Sequence, residues 1–151
     1  MPVATLDEIR GRIGTDLGAS PWIEISQQSI DIFAEVTGDH QFIHVDPALA
    51  RQTPFGGTVA HGFLTLSLLS QMAATVMLVP DTLRMAVNYG FEKVRFIAPV
   101  RSGKRVRGRF TLASAEEKRP GQWQLLHNVT VEIEGEEKPA LTADWIGLIF
   151  T

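Results

Sequence analysis

The sequence contains no cysteine. That absence excludes a disulfide framework, a thiolate-held zinc or iron–sulfur centre, and catalysis by a cysteine nucleophile. No secretory signal is expected, because MPVATLDEIR has neither a basic opening nor an apolar core. No G-x-S-x-G elbow, G-x-x-x-x-G-K-S/T phosphate loop or G-x-G-x-x-G dinucleotide fingerprint occurs, and Gly103 and Gly108 alone cannot cradle a phosphate. Positive charge is not in excess either, since the formal net charge is −3, which gives no general attraction to nucleic acid. Repeats, low-complexity tracts and linker-like stretches are absent. The 151 residues, 44% of them hydrophobic, therefore read as one domain, 1–151, with enough apolar side chains for a core.

One long uncharged run is present. GFLTLSLLSQMAATVMLV, 18 residues between His61 and Pro80, reaches the length of a membrane-span candidate. Ser67, Gln71 and Thr75 form a polar stripe at four-residue spacing, and Asp81 rather than a basic flank follows. The run fits a buried core helix from about His61 to Val79, stopped by Pro80. A soluble, cytoplasmic protein with no membrane partner is expected.

Shorter helices are predicted over Thr5–Ile13, over Ser26–Val36 with Ser26 as cap, and after Asp46-Pro47, where Asp caps and Pro opens the first turn. Trp22–Ile25 alternates as a short strand, and Gly38–Val45 reads as a loop. From Met85 the texture changes to four long strand-like stretches separated by short turns, with Gly90 at a bulge. A helical first half and a stranded second half give an α+β class, a curved antiparallel meander around a long central helix. Such a sheet leaves edges that a second copy would cover, so a homodimer is expected.

The densest chemistry lies in Asp39-His40-Gln41-Phe42-Ile43-His44-Val45-Asp46. Asp39 and His44 are five apart and would not stack on one helix face, but a curved loop can aim both at one water. A carboxylate and an imidazole so placed could orient that water, accept its proton and return a proton to carbon, worth roughly 10²–10⁴-fold per group. The same residues also suit a plainer role, Asp39 closing a Gly-Asp turn and His44 a hydrogen-bonded loop histidine. His40 and His44 could instead bind a divalent metal, but further ligands are not evident from His61 or His127, and Asp46 is occupied as a cap. No metal and no resident cofactor are expected.

Val59-Ala60-His61-Gly62-Phe63 opens the apolar helix with a glycine in its first turn. Free N–H groups there suit a carbonyl oxygen that gains negative charge, although Gly62 would equally serve close packing and His61 an ordinary helix start. The charge is unevenly spread. Lys93, Arg95, Arg101, Lys104, Arg105, Arg107 and Arg109 fall in one acid-free stretch, leaving seven basic against seventeen acidic residues elsewhere, a net −10. A solvated strand face explains them; a site for coenzyme A phosphates is the sharper alternative. Nucleic acid fits less well, because aromatic residues barely interleave the cations.

Phe33-Ala-Glu-Val-Thr-Gly-Asp39, Ile43-His44 and Ala50, in that order, resemble the signature of the MaoC-like, R-specific enoyl-CoA hydratases. PFGGTVAHGF at Pro54–Phe63, Asn88-Tyr89-Gly90 and Lys93-Val94-Arg95-Phe96 make the chain most similar to the nodulation-protein-N-like branch. The resemblance implies a hot-dog fold, a homodimer, and reversible syn addition of water to a trans-2-enoyl-CoA to give an R-3-hydroxyacyl-CoA. It implies Asp39 and His44 as the catalytic pair and Gly62 as donor to the thioester carbonyl. Secondary substrate contacts are expected from Gln41, Phe42, His61 and Asn88, and coenzyme A phosphate contacts from Arg101, Lys104 and Arg105. Gln41-Phe42 departs from the Asn-Pro of the broad signature, which bears on loop shape and on the acyl pocket. A hot-dog acyl-CoA thioesterase and a non-catalytic acyl-CoA-binding module are the competing readings. Acyl-chain length and the choice between coenzyme A and acyl carrier protein are not encoded in spacing.

Overall fold

The computed structural model describes all residues, 1–151. In chain order the elements are β1 (Val3–Ala4), α1 (Leu6–Gly11), β2 (Asp16–Ala19), β3 (Ile23–Glu24) and α2 (Gln27–Thr37). α3 (Phe42–Val45), α4 (Pro47–Ala50), α5 (Gly62–Ser67) and α6 (Leu69–Ala73) follow. β4 (Val79–Pro80), β5 (Met85–Phe96), β6 (Arg105–Arg119), β7 (Gln122–Ile133) and β8 (Leu141–Phe150) complete the chain.

Local chemistry accounts for the helix ends. Thr5 and Glu8 form a reciprocal capping box on α1, Ser26 accepts the Ser29 N–H on α2, and Asp46 accepts the Ala48 and Leu49 N–H groups on α4. α2 stops at Gly38, whose φ of 76° is left-handed backbone that favours glycine.

The apolar run forms a shorter helix than its composition predicts. α5 and α6 are separated at Leu68 and end at Ala73, not at Val79. Ser67 Oγ bonds the Phe63 carbonyl at 2.7 Å and Thr75 Oγ1 the Met72 carbonyl at 3.2 Å, side-chain competition that bends and ends helices. Val79–Pro80 is then drawn into a parallel pair with Val3–Ala4. No helix is long and apolar enough to cross a membrane.

The main sheet runs β2-β6-β7-β8-β5, with β3 pairing β6 as well. Only β6, β7 and β8 form a meander. β5 pairs with β8 instead of its successor β6, so residues 97–104 must carry the chain across to the far side of the sheet. β5 slips register between Asn88 and Gly90, which places the expected bulge at Tyr89. Val106, Phe110, Val129, Val131, Leu141, Ala143 and Trp145 line the inner face, packed against Leu64, Leu69 and Met72 of α5–α6 and Ile30 of α2. This is the hot-dog arrangement, a curved antiparallel sheet around a central helix.

Candidate active site

The crossing segment 97–104 also builds the site. The Ala60 N–H donates to the Val100 carbonyl at 2.8 Å, and Val59 bridges Arg101, so the strand-like approach to α5 is held against it. On the other side α3 forms a single helical turn where a loop is predicted. Asp39 Oδ1 accepts the Gln41 N–H at 3.3 Å, and the Gln41 carbonyl accepts the His44 N–H at 2.9 Å. The turn swings His44 inward, leaving it 7% exposed.

His44 Nδ1 lies 2.6 Å from the Val59 carbonyl oxygen. A carbonyl only accepts, so Nδ1 carries the hydrogen and Nε2 keeps the lone pair. Its ring stacks on His61, with centroids 3.8 Å apart and planes at 25°. His61 Nε2 lies 2.9 Å from the Asp39 main-chain oxygen and 4.0 Å from its carboxylate. One ligating atom from each of Asp39, His44 and His61 lies within 4.8 Å of the others. Asp39 stays half exposed while both imidazoles are buried, so a carboxylate at the surface faces two desolvated rings. Backbone oxygens engage His44 Nδ1 and His61 Nε2, which leaves His44 Nε2 and the Asp39 carboxylate as the donors open to a proton or a cation.

Gly62 opens α5 directly after His61. A Cβ there would meet two Phe96 ring carbons at 2.9 Å, so side-chain packing alone requires glycine. Beside it a cavity of about 290 Å³ is lined by Phe55, Ala60, Thr65, Phe96 and Val100, mostly apolar. The first N–H groups of α5 have no partner within the helix.

The remaining predicted residues lie elsewhere. Asn88 lines a separate apolar cavity of about 270 Å³ with Ser70, Ala73 and Trp145, shared by none of Asp39, His44, His61 or Gly62. Phe42 is 42% exposed and borders a surface depression with Leu49, Gln52 and Thr53, outside the Gly62 cavity. The Gln41 side chain makes no capping bond; its peptide groups shape the turn instead.

The basic strand face is neutralised by its neighbour. Arg105 pairs with Glu134, Arg107 with Glu132, Arg109 with both Glu132 and Asp16, and Lys104 with Glu136 at 3.2 Å. The Glu134 hydrogen bond, and then its charge, hold the Arg105 guanidinium above its ordinary pKa. Burial pushes the Glu132 carboxyl up, but bonds and charges from Arg107 and Arg109 together bring it below its usual value. Of the three cations expected to meet coenzyme A phosphates, only Arg101 lacks a carboxylate partner, and its guanidinium lies against Gly56.

Gln27 is not singled out by the sequence, and Thr58 and Val59 stand in its motifs without a role. Gln27 Nε2 donates to the His44 carbonyl at 2.8 Å, and its Oε1 accepts from Thr58 Oγ1 at 2.6 Å. Val59 enters only through its carbonyl, which no side-chain pattern records. Gln27 sits at the start of α2 with Asp31 one turn on, and only the three-dimensional register brings it 17 residues along to His44.

Residues 8–135 match the family described as MaoC like domain. The chain is 52% identical over 145 residues to nodulation protein N of Rhizobium meliloti (strain 1021), covering 95% of this chain and 90% of that protein. It is 44% identical over 139 residues to 3-hydroxyacyl-thioester dehydratase Z of Mycobacterium tuberculosis, covering 92% and 91%. The structure of a monoamine oxidase regulatory protein from Archaeoglobus fulgius shares the fold, with a TM-score of 0.82, 24% identity, and coverage of 100% of this chain and 97% of that one. With the family's sequence landmarks carried on this sheet and helix, the chain belongs to the MaoC-like family, in the branch of nodulation protein N.

Proposed function

We propose that this hydro-lyase adds water reversibly to a trans-2-enoyl thioester and yields the R-3-hydroxyacyl thioester, with Asp39 and His44 as its acid–base pair. The observation that carries the reading is the pinned imidazole. With Nδ1–H held by the Val59 carbonyl, His44 Nε2 is the free base of the pair, and a half-exposed carboxylate lies beside it. The similarity to a 3-hydroxyacyl-thioester dehydratase, whose name describes the reverse direction, supports the same chemistry.

In the forward direction the water oxygen bonds to C3 while one member of the pair takes its proton. The electrons of the double bond move toward the thioester carbonyl, and the Gly62 N–H faces the oxygen that gains charge. The proton returns to C2 from the same face, so the elements of water add syn and the pair is restored. No electron carrier is needed, because the reaction is redox-neutral. The apolar cavity beside Gly62 takes the start of the acyl chain, and Arg101, whose two expected companions Lys104 and Arg105 are paired with carboxylates, meets a phosphate of the carrier.

Loss of the enoyl ultraviolet absorbance of crotonyl-CoA and of longer homologues tests the reading. Wild type should bleach the signal, and Asp39→Asn and His44→Ala should each lower kcat by roughly 10²–10⁴-fold. Full activity in both variants, or release of free thiol without hydration, would refute it.

A further inference from the structure

We infer that His61 is a positioning residue whose Nε2–H fixes the Asp39 main chain and thereby sets the aim of the acid–base pair. The inference rests on the hydratase reading and gives His61, expected from the sequence to contact substrate, a role behind the pair, since it is buried and borders neither the Gly62 cavity nor the Asn88 cavity.

Asp39 is poorly anchored by everything except His61. Its carboxylate is 54% exposed, its N–H reaches Thr37 Oγ1 only at 3.4 Å, and its Oδ1 holds the Gln41 N–H at 3.3 Å. The 2.9 Å bond from His61 Nε2 to the Asp39 carbonyl is the shortest of the set. Its donor ring is buried, with His61 at 3% exposure, so the donor side of the bond is shielded from water.

Hydrogen-bond bookkeeping fixes the tautomer. A carbonyl accepts only, so the hydrogen is on Nε2. Nδ1 is buried without any partner. A bare lone pair there is tolerated better than an orphaned N–H, which agrees with the same assignment. His44 is thus the Nδ1–H tautomer and His61 the Nε2–H tautomer, stacked face to face.

The ring is itself wedged. Phe33 of α2 lies at 5.0 Å between centroids, and the His44 ring lies at 3.8 Å. Because His61 immediately precedes Gly62, one residue links the carboxylate loop, the imidazole and the first turn of α5. Moving it would shift all three relative to one another. Displacements near 1 Å in such an arrangement can cost about 10²-fold in rate.

Two substitutions separate the donor from the ring. His61→Gln keeps an amide N–H of similar reach and loses the stack, whereas His61→Phe keeps a stacking ring and loses the donor. His61→Phe should lower kcat on enoyl-CoA about 10²-fold with KM within about threefold, and His61→Gln should recover to within about tenfold of wild type. If His61→Phe does not fold, His61→Leu supplies the donorless comparison. A folded donorless variant with wild-type kcat, or a glutamine variant no better than it, overturns the inference. A wild type that hydrates nothing defeats the hydratase reading instead. The hydrogen-bond assignment is then judged from ring nitrogen correlations of the labelled histidines: an Nε2–H His61 supports it, and an Nδ1–H His61 contradicts it.

Discussion

At the scale of single residues, the site depends on hydrogen bonds to backbone carbonyls that orient otherwise free rings. His44 is aimed by Val59, and its own carbonyl is tied to α2 through Gln27. Gln27→Ala removes the bonds to both His44 and Thr58, leaving the buried Thr58 hydroxyl without its acceptor. A loss of about 1–3 kcal/mol is expected in denaturant melts, together with reduced kcat, because α3 is left with fewer ties. Gly62→Ala places a methyl group 2.9 Å from the Phe96 ring, so Phe96 must move into the adjacent cavity. The expected outcome is a raised KM for acyl substrates that is partly relieved by Phe96→Ala, measured by steady-state kinetics on the double-mutant cycle.

At the scale of elements, the ladder between β6 and β7 decides what the basic residues do. Arg105, Arg107 and Arg109 on that face pair with Glu134, Glu132 and Asp16, and Lys104 just before β6 pairs with Glu136, so these charges are neutralised locally. Lys104→Ala and Arg105→Ala should leave the KM for acyl-CoA within about twofold, whereas Arg101→Ala should raise it several-fold and weaken its salt dependence. Equal effects from all three would contradict the assignment. β5 offers the opposite case. It pairs on one side only, and Val87, Tyr89 and Phe91 remain substantially exposed along it. An unprotected strand of that length invites a second copy, so light scattering is expected to give a dimeric mass for wild type and a monomeric one for Phe91→Asp, and a wild-type monomer would contradict this.

The elements also show how much of the molecule is legible in one dimension. Thr5, Ser26 and Asp46 mark three helix starts, because capping is a contact between near neighbours in sequence. The class, the four long strands, the bulge beside Gly90 and the proximity of Asp39 to His44 are likewise recoverable from pattern and motif. What fails is long-range. Alternation cannot say that β5 joins β8, nor that Glu132 and Glu134 lie across from the arginines of β6. Uncharged composition overstates the helix to Val79, because the β1 partner of Val79 lies 76 residues earlier. The role of Val59 is carried by a main-chain oxygen and has no letter of its own.

At the scale of the whole molecule, stability and acid sensitivity meet in His127. It faces the core from β7 between Leu125 and Val129, 2% exposed, with Nδ1 unpartnered. Burial pulls its pKa down from 6.5 to about 4. The folded protein therefore resists a proton that the unfolded chain accepts, and stability is lost as pH falls from about 6.5 toward 4. The penalty is on the order of 3 kcal/mol at its limit. Urea midpoints measured between pH 7 and 4 should fall in wild type and flatten in His127→Leu; equal slopes would contradict the account. Because the proposed chemistry uses only side chains and a helix start, exhaustive dialysis against a chelator should leave the rate unchanged.

The central claim is that one carboxylate and one imidazole add water to an enoyl thioester from the face that gives the R alcohol. Chiral chromatography of the product formed from crotonyl-CoA tests it most directly. The account predicts R-3-hydroxybutyryl-CoA as the sole hydration product, with its formation lost together in Asp39→Asn and His44→Ala. The S enantiomer, a racemic product, or free coenzyme A with unhydrated acid would contradict it.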